Sequence, residues 1–171
     1  VSQPSLAPIS GSAIVQTTSN VLGYEVFRWS SFGQEASVPI ETRTASNYVL
    51  AFDNTNGLVT GVAIANLSTT AANVPVIIRD DTGAQIGTTT ISLPAQGHQS
   101  FMLNAQYSST SNLRGTIEFD TPQGGQITVL GLRAVGGDDH LRAAVVLAPF
   151  RDGENPFAGG KRERFAHHHA I

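Results

Sequence analysis

The chain has 171 residues, which suits one domain, and it contains no cysteine, so disulfides, thiolate metal sites and a cysteine nucleophile are excluded. Charged residues make up only 13% of the sequence, and the formal net charge is −3. With no basic patch ahead of Lys161, nucleic-acid binding has little support, and no segment approaches the roughly 20 apolar residues of a membrane span.

Three segments of different composition follow one another along the chain. Residues 1–10 contain two prolines and no hydrophobic periodicity, so we predict a linker. Residues 11–149 consist of short apolar runs separated by Gly, Asn, Asp and Pro, which is the pattern of an all-β domain. Residues 150–171 are charged, lack periodicity and end near three consecutive histidines, so we predict a flexible tail.

About ten strands are predicted within the domain. The segments that concentrate or alternate apolar residues are, in chain order, 11–17, 22–29, 36–41, 48–53, 59–67, 74–79, 85–93, 98–103, 115–120, 126–133 and 143–148. Pro39 indicates that the third segment lies at a sheet edge, because proline cannot donate to a strand ladder. A single helical turn is predicted over 103–108.

Turn residues predict how six of these segments are connected. Asp53 to Gly57 would join 48–53 and 59–67 as a hairpin, since Asn and Gly tolerate positive φ. Similar turns predict hairpins around Asp80 to Gly83 and around Thr121 to Gly125. Parallel sheets need crossover helices, which the sequence lacks. We therefore predict an all-β fold, an antiparallel β-sandwich of the immunoglobulin-like or jelly-roll-like kind.

Five stretches of the predicted domain have a recognisable order and spacing. They are 61–66, 74–83, 91–101, 114–119 and 129–133. Together they resemble a β-sandwich module that is repeated in large secreted and cell-surface proteins of acidobacteria and other soil bacteria, beside immunoglobulin-like and propeller repeats. The resemblance covers residues 11–149 and implies an extracellular accessory or adhesive role. It supplies no catalytic residues, because no activity is assigned to the module.

Four aromatic residues near the start of the domain are candidate ligand contacts. Tyr24, Phe27, Trp29 and Phe32 lie in one predicted hairpin, and exposed aromatic faces can stack on sugar rings. Packing in the core explains the same residues. The alternation of a strand places Tyr24 on one face and Phe27 and Trp29 on the other, so they cannot all face one core.

Two oxygen-rich loops are candidate calcium sites. Asp80 and Asp81 could offer carboxylate oxygens, although a hairpin turn with local hydrogen bonds explains the same residues. The loop 53–57 is likewise a candidate for either calcium binding or a turn. A calcium loop normally supplies more widely spaced carboxylates, which favours the turn in both places.

A third loop combines carboxylates with an imidazole. Asp138, Asp139 and His140 could hold zinc or act as an acid–base pair, with His98 as a further ligand. Adjacent residues of an extended loop point in different directions, which is typical of a solvated loop.

Three hypotheses for function follow from the sequence. The first is a noncatalytic accessory module, structural, adhesive or spacer, that contacts other domains of a larger bacterial surface or secreted protein. The second is a carbohydrate-binding module that uses the surface aromatics, and the third is a small metal-dependent hydrolase. The expected location is extracellular or at the cell surface, with a glycan as a candidate partner.

Overall fold

The computed structural model describes residues 11–19, 21–29, 34–42, 45–135 and 144–147. Their strands are β1 (Tyr24–Trp29), β2 (Gln34–Pro39), β3 (Asn47–Asp53), β4 (Leu58–Asn66), β5 (Ala72–Asp80), β6 (Gln85–Leu93), β7 (His98–Met102), β8 (Arg114–Asp120), β9 (Ile127–Val135) and β10 (Ala144–Leu147). One short helix, α1 (Leu103–Gln106), and a 3₁₀ turn (Ser108–Thr110) follow β7. The predicted all-β class and the helical turn after β7 are confirmed.

The strands form two four-stranded antiparallel sheets. Sheet 1 has the order β3-β8-β5-β6, and sheet 2 has the order β10-β9-β4-β7. Their inner faces supply a shared core of buried side chains, so the fold is the predicted antiparallel β-sandwich. The strands β1 and β2 pair only with each other, and β2 lies beside β10 at the edge of sheet 2.

The core follows the two-residue period of the strands. Val74, Val76 and Ile78 of β5 are at most 1% exposed, whereas Asn73 and Pro75, on either side of Val74, face solvent. Burying an aliphatic or aromatic side chain of this kind contributes about 1.5–3 kcal/mol. The other large side chains that are almost fully buried are Tyr48, Leu50, Ile64, Leu103, Ile117 and Phe119.

The predicted hairpin of β1 and β2 forms, but of the three hairpins predicted from the turns after residues 53, 80 and 121 only one does. β5 and β6 pair as expected, but β3 and β4 lie in different sheets, and so do β8 and β9. The predicted reversal after β3 is present, since Asn56 and Gly57 have φ of 54° and 77°. Turn residues reverse the direction of the chain, but they do not determine whether the next strand joins the same sheet or the other one. A connection of this length can span the ~10 Å between packed sheets. Both pairings were therefore predicted wrongly.

Buried asparagines fix the chain where it crosses between the sheets. Asn54, between β3 and β4, donates to the hydroxyl and the carbonyl of Thr110 at 3.2 Å and accepts from the amide of Thr60 at 2.9 Å. Asn66, where β4 leads to β5, donates to the carbonyl of Pro94 at 2.8 Å. Because both side chains are at most 5% exposed, these bonds satisfy polar groups that water cannot reach.

The strand predicted over 11–17 does not form. Residues 11–17 have no regular secondary structure and are exposed. Their apolar alternation suits a strand, but a strand also needs a neighbour for its backbone hydrogen bonds. No strand of the described ranges pairs with this segment. The prediction was wrong because the alternation specifies a face and no partner.

The predicted linker, 1–10, and the predicted tail, 150–171, lie outside the described residues. Within the described ranges, no helix is long and apolar enough to cross a bilayer.

Candidate interaction surface

Residues 11–42, here termed the N-terminal arm, expose apolar side chains to solvent. None of the arm's residues with described burial is buried. Seven of its large side chains are at least 40% exposed, namely Ile14, Val15, Val21, Leu22, Tyr24, Val26 and Ile40. In the described part of the sandwich, only Met102 and Leu113 reach comparable exposure, at 38% and 39%. The exposed apolar surface is therefore concentrated in the arm.

The arm is built on an antiparallel hairpin. β1 and β2 are paired from Tyr24 opposite Pro39 to Trp29 opposite Gln34. The amide of Ile40 donates to the carbonyl of Gly23 at 2.9 Å, which extends the pairing by one residue. In this extended backbone, side chains two residues apart share a face, so Leu22 and Tyr24 project to the same side.

A groove runs between the coil of residues 11–19 and 21–22 and the end of β2. Its apolar walls are Val15, Val21, Leu22 and Ile40, and its rim carries Thr17, Thr18, Ser19, Glu41 and Thr42. The groove has a volume of about 710 Å³ and is open to solvent. A two-stranded hairpin alone is only marginally stable in water. An arm that leaves its apolar groove uncovered thus gains little from its own folding.

The predicted aromatic contacts fall on this arm. Tyr24 is 73% exposed, so it is placed where a ligand or a partner could reach it. Phe27 and Trp29 lie on β1, but their side chains are outside what the structure describes, as is all of Phe32. The proposed cluster of four aromatics stays a prediction beyond Tyr24.

The described residues of the two candidate metal sites, the Asp80–Asp81 site and the His98 site, lie at different ends of the sandwich. Asp80 and Asp81 are at the upper end, where β3 ends and β8 begins, while His98 is exposed at the lower end, beside Ala65. The nine residues of β4 separate the ends by roughly 26 Å at about 3.3 Å per residue. Residues 138–140 lie outside the described ranges.

Asp80 organises the turn that joins β5 to β6. One of its carboxylate oxygens accepts from the hydroxyl and the amide of Thr82 at 2.6 and 2.9 Å and from the amide of Ala84 at 3.0 Å. These hydrogen bonds, chiefly the one from the Thr82 hydroxyl, lower the pKa of Asp80. Gly83 completes the turn with φ of 86°. The residues therefore perform the turn role that was weighed against calcium binding.

Asp53 forms the hydrogen bonds that hold the other oxygen-rich loop, residues 53–57, at the upper end of the sandwich. One carboxylate oxygen accepts from the amide and the hydroxyl of Thr55 at 3.0 and 2.7 Å, and the other accepts from Arg114 at 3.0 Å. Burial alone raises the pKa of Asp53, but the bonds from Thr55 and the charges of Arg114 and Arg133 outweigh it, so the pKa is lowered. Both oxygens are engaged within the protein.

The outer face of sheet 1 carries a second ion pair. Arg79 donates to Glu118 at 2.9 Å, and the side-chain amide of Asn47 donates to the other oxygen of Glu118 at 3.3 Å. Burial and the nearby Glu118 raise the pKa of Asp120, against the effect of Arg79. Among the described residues, no group of three or more His, Asp or Glu side chains could hold a metal ion. The calcium and zinc hypotheses stay predictions.

Sequence reasoning did not predict that the aliphatic side chains of the arm are exposed to solvent. Val15, Leu22 and Val26 were assigned to ordinary strands, because alternation is the same whether a face meets a core or a partner.

Comparisons of the chain with protein-family models, with curated proteins and with solved structures found no match.

Proposed function

We propose that this chain is a noncatalytic module of a larger bacterial surface or secreted protein, and that its arm binds a like module. The single observation that carries the proposal is the concentration of exposed apolar side chains in residues 11–42. The extracellular setting rests on the resemblance to a repeated surface module. In such an array the nearest neighbour is a second copy, which makes a like module the natural partner.

The exposed area suits a protein partner. Four of the seven exposed apolar side chains, Val15, Val21, Leu22 and Ile40, line one groove, so their exposed surface is shared. Soluble monomers rarely expose more than a few hundred Å² of contiguous apolar surface. A standard interface buries about 800 Å² per partner and has an apolar centre. The groove therefore offers the kind of surface that such an interface buries.

The proposal is tested by self-association of the 171-residue chain. We expect sedimentation equilibrium to show concentration-dependent dimers, and Leu22→Ser with Tyr24→Ser to weaken the dissociation constant at least tenfold, since buried aromatic and aliphatic anchors dominate interfaces. The matched control is Met102→Ser with Leu113→Ser, which removes two exposed apolar side chains of the sandwich. Equal effects of the two double variants, or a wild type that stays monomeric, would contradict the proposal.

A second candidate is carbohydrate binding by the arm, which the exposure of Tyr24 favours. An aromatic ring stacks on the apolar face of a sugar, so Tyr24→Phe should retain binding to neutral oligosaccharides in titration calorimetry and Tyr24→Ala should lose it. Identical titrations for the two variants would remove this candidate and leave the protein partner.

A further inference from the structure

A neutral pocket lies where the end of α1 and the 3₁₀ turn approach β6, the edge strand of sheet 1. It has a volume of about 360 Å³ and is lined by Ile78, Gly87, Thr88, Thr89, Gln106, Tyr107, Ser108 and Ser109. The size falls at the lower end of the ~300–1,000 Å³ typical of small-molecule sites. Because β6 is an edge strand, one side of this pocket is open to an incoming ligand.

The polar side chains that line the pocket take no part in the hydrogen bonds of the fold. Within the described ranges, no side-chain hydrogen bond to another residue is formed by Thr88, Thr89, Gln106, Ser108 or Ser109. The side chain of Thr89 lies on the same face of β6 as Gly87, whereas the side chain of Thr88 points to the opposite face. The hydroxyls of Thr89, Ser108 and Ser109 and the amide of Gln106 therefore remain available to a ligand at this pocket.

Tyr107 gives the pocket a fixed aromatic surface. Its ring is half-buried and packs edge-to-face on Phe101, with centroids 5.8 Å apart and planes at 85°. Its amide donates to the carbonyl of Leu103 at 2.8 Å, and its carbonyl accepts from the hydroxyl of Thr110 at 2.8 Å. Burial raises the pKa of Tyr107, so its hydroxyl stays neutral at physiological pH.

The lining selects for a neutral ligand with many hydroxyls. No lining residue carries a charge, so a charged ligand would lose hydration without gaining an ionic partner. A sugar ring offers hydroxyls to the Thr, Ser and Gln side chains and an apolar face to Tyr107. We propose that this pocket binds a neutral saccharide. The proposal is independent of the arm, which lies on other residues.

The test is a titration of the isotope-labelled 171-residue chain, followed by amide chemical shifts, with neutral trisaccharides of glucose, galactose, mannose and N-acetylglucosamine as probes. We expect at least one probe to shift the amides of Thr88, Thr89 and Ser109 in a saturable way. Tyr107→Ala should weaken that binding at least tenfold. Since Tyr107 also packs on Phe101, Ser109→Ala and Thr89→Val serve as milder variants, expected to weaken binding about threefold to tenfold.

Thr90→Val is the control on the same strand, because the side chain of Thr90 points to the opposite face of β6 from that of Thr89 and does not line the pocket. The proposal is overturned if no probe shifts the pocket amides at about 10 mM, or if the shifts map to Tyr24 instead. It is equally overturned if Thr90→Val weakens binding as much as Thr89→Val. Sedimentation of Tyr107→Ala, expected to be unchanged, keeps this result separate from the proposed role of the arm.

Discussion

The sandwich and the N-terminal arm place similar apolar side chains in opposite surroundings. In β5, Val74 and Val76 alternate with exposed residues and are fully buried, because sheet 2 covers their face of sheet 1. In the arm, Leu22 and Tyr24 also lie two residues apart, yet they are 90% and 73% exposed. The same alternation thus produces an apolar face that the fold covers in the sandwich and an apolar face that stays exposed in the arm.

The difference separates stability from recognition. Residues whose apolar faces are covered by the second sheet supply the free energy of folding. Residues whose apolar faces are uncovered gain only when another surface meets them. Under the proposed function, the sandwich supplies stability and the arm supplies self-association, so variants in the two regions should change these two properties separately.

The largest expected effect comes from a matched pair of truncations. Phe119→Ala should lower the free energy of unfolding by about 3–5 kcal/mol, because it removes a fully buried ring and leaves a cavity. Leu22→Ala should change it by no more than about 0.5 kcal/mol. Urea unfolding at low protein concentration measures both. A loss above about 1 kcal/mol for Leu22→Ala would show that the arm packs on its own sandwich.

A smaller effect is expected where the chain crosses between the sheets. Asn54→Ala should cost about 2–3 kcal/mol, because it leaves the buried amide of Thr60 and the hydroxyl of Thr110 without this partner. Asn73→Ala is the control, since Asn73 is exposed on β5. Similar unfolding midpoints for the two variants would contradict the anchoring role of Asn54.

The smallest effect concerns acid stability at the upper end of the sandwich. The pKa of Asp53 is lowered from 3.8, so its stabilising contribution is fully present above that pH and is lost as pH falls through the folded-state pKa. At neutral pH, Asp53→Asn should therefore be less stable than wild type by about 1 kcal/mol. The gap should close towards pH 2. This account would be contradicted if the difference in free energy of unfolding between wild type and Asp53→Asn did not depend on pH. An equal loss of stability for the exposed Asp81→Asn would also contradict it.

The sequence predicted the parts of the fold that depend on local pattern. The alternation in β5 and the Asp80 turn both led to the correct β5–β6 hairpin. The turn at Asn56 and Gly57 was also anticipated, but its neighbours went to different sheets. Sheet assignment depends on which distant strand covers each apolar face, and no local signal contains that choice.

The candidate sites were less predictable for the same reason. Exposure of Leu22 depends on the absence of a covering layer, and the residue type does not report it. The neutral pocket brings Thr89 close to Tyr107, where the 3₁₀ turn approaches β6. Threonines in strands are common, so Thr89 did not stand out.

Hydrogen exchange at two protein concentrations tests the division between arm and sandwich most directly. We predict that the amides of Glu25 and Val26 in β1 exchange more slowly at high concentration, because association covers the arm. The amides of Val76 and Ile117 in sheet 1 should exchange at the same rate at both concentrations. Exchange in β1 that does not depend on concentration would contradict the claim that the arm binds a like module.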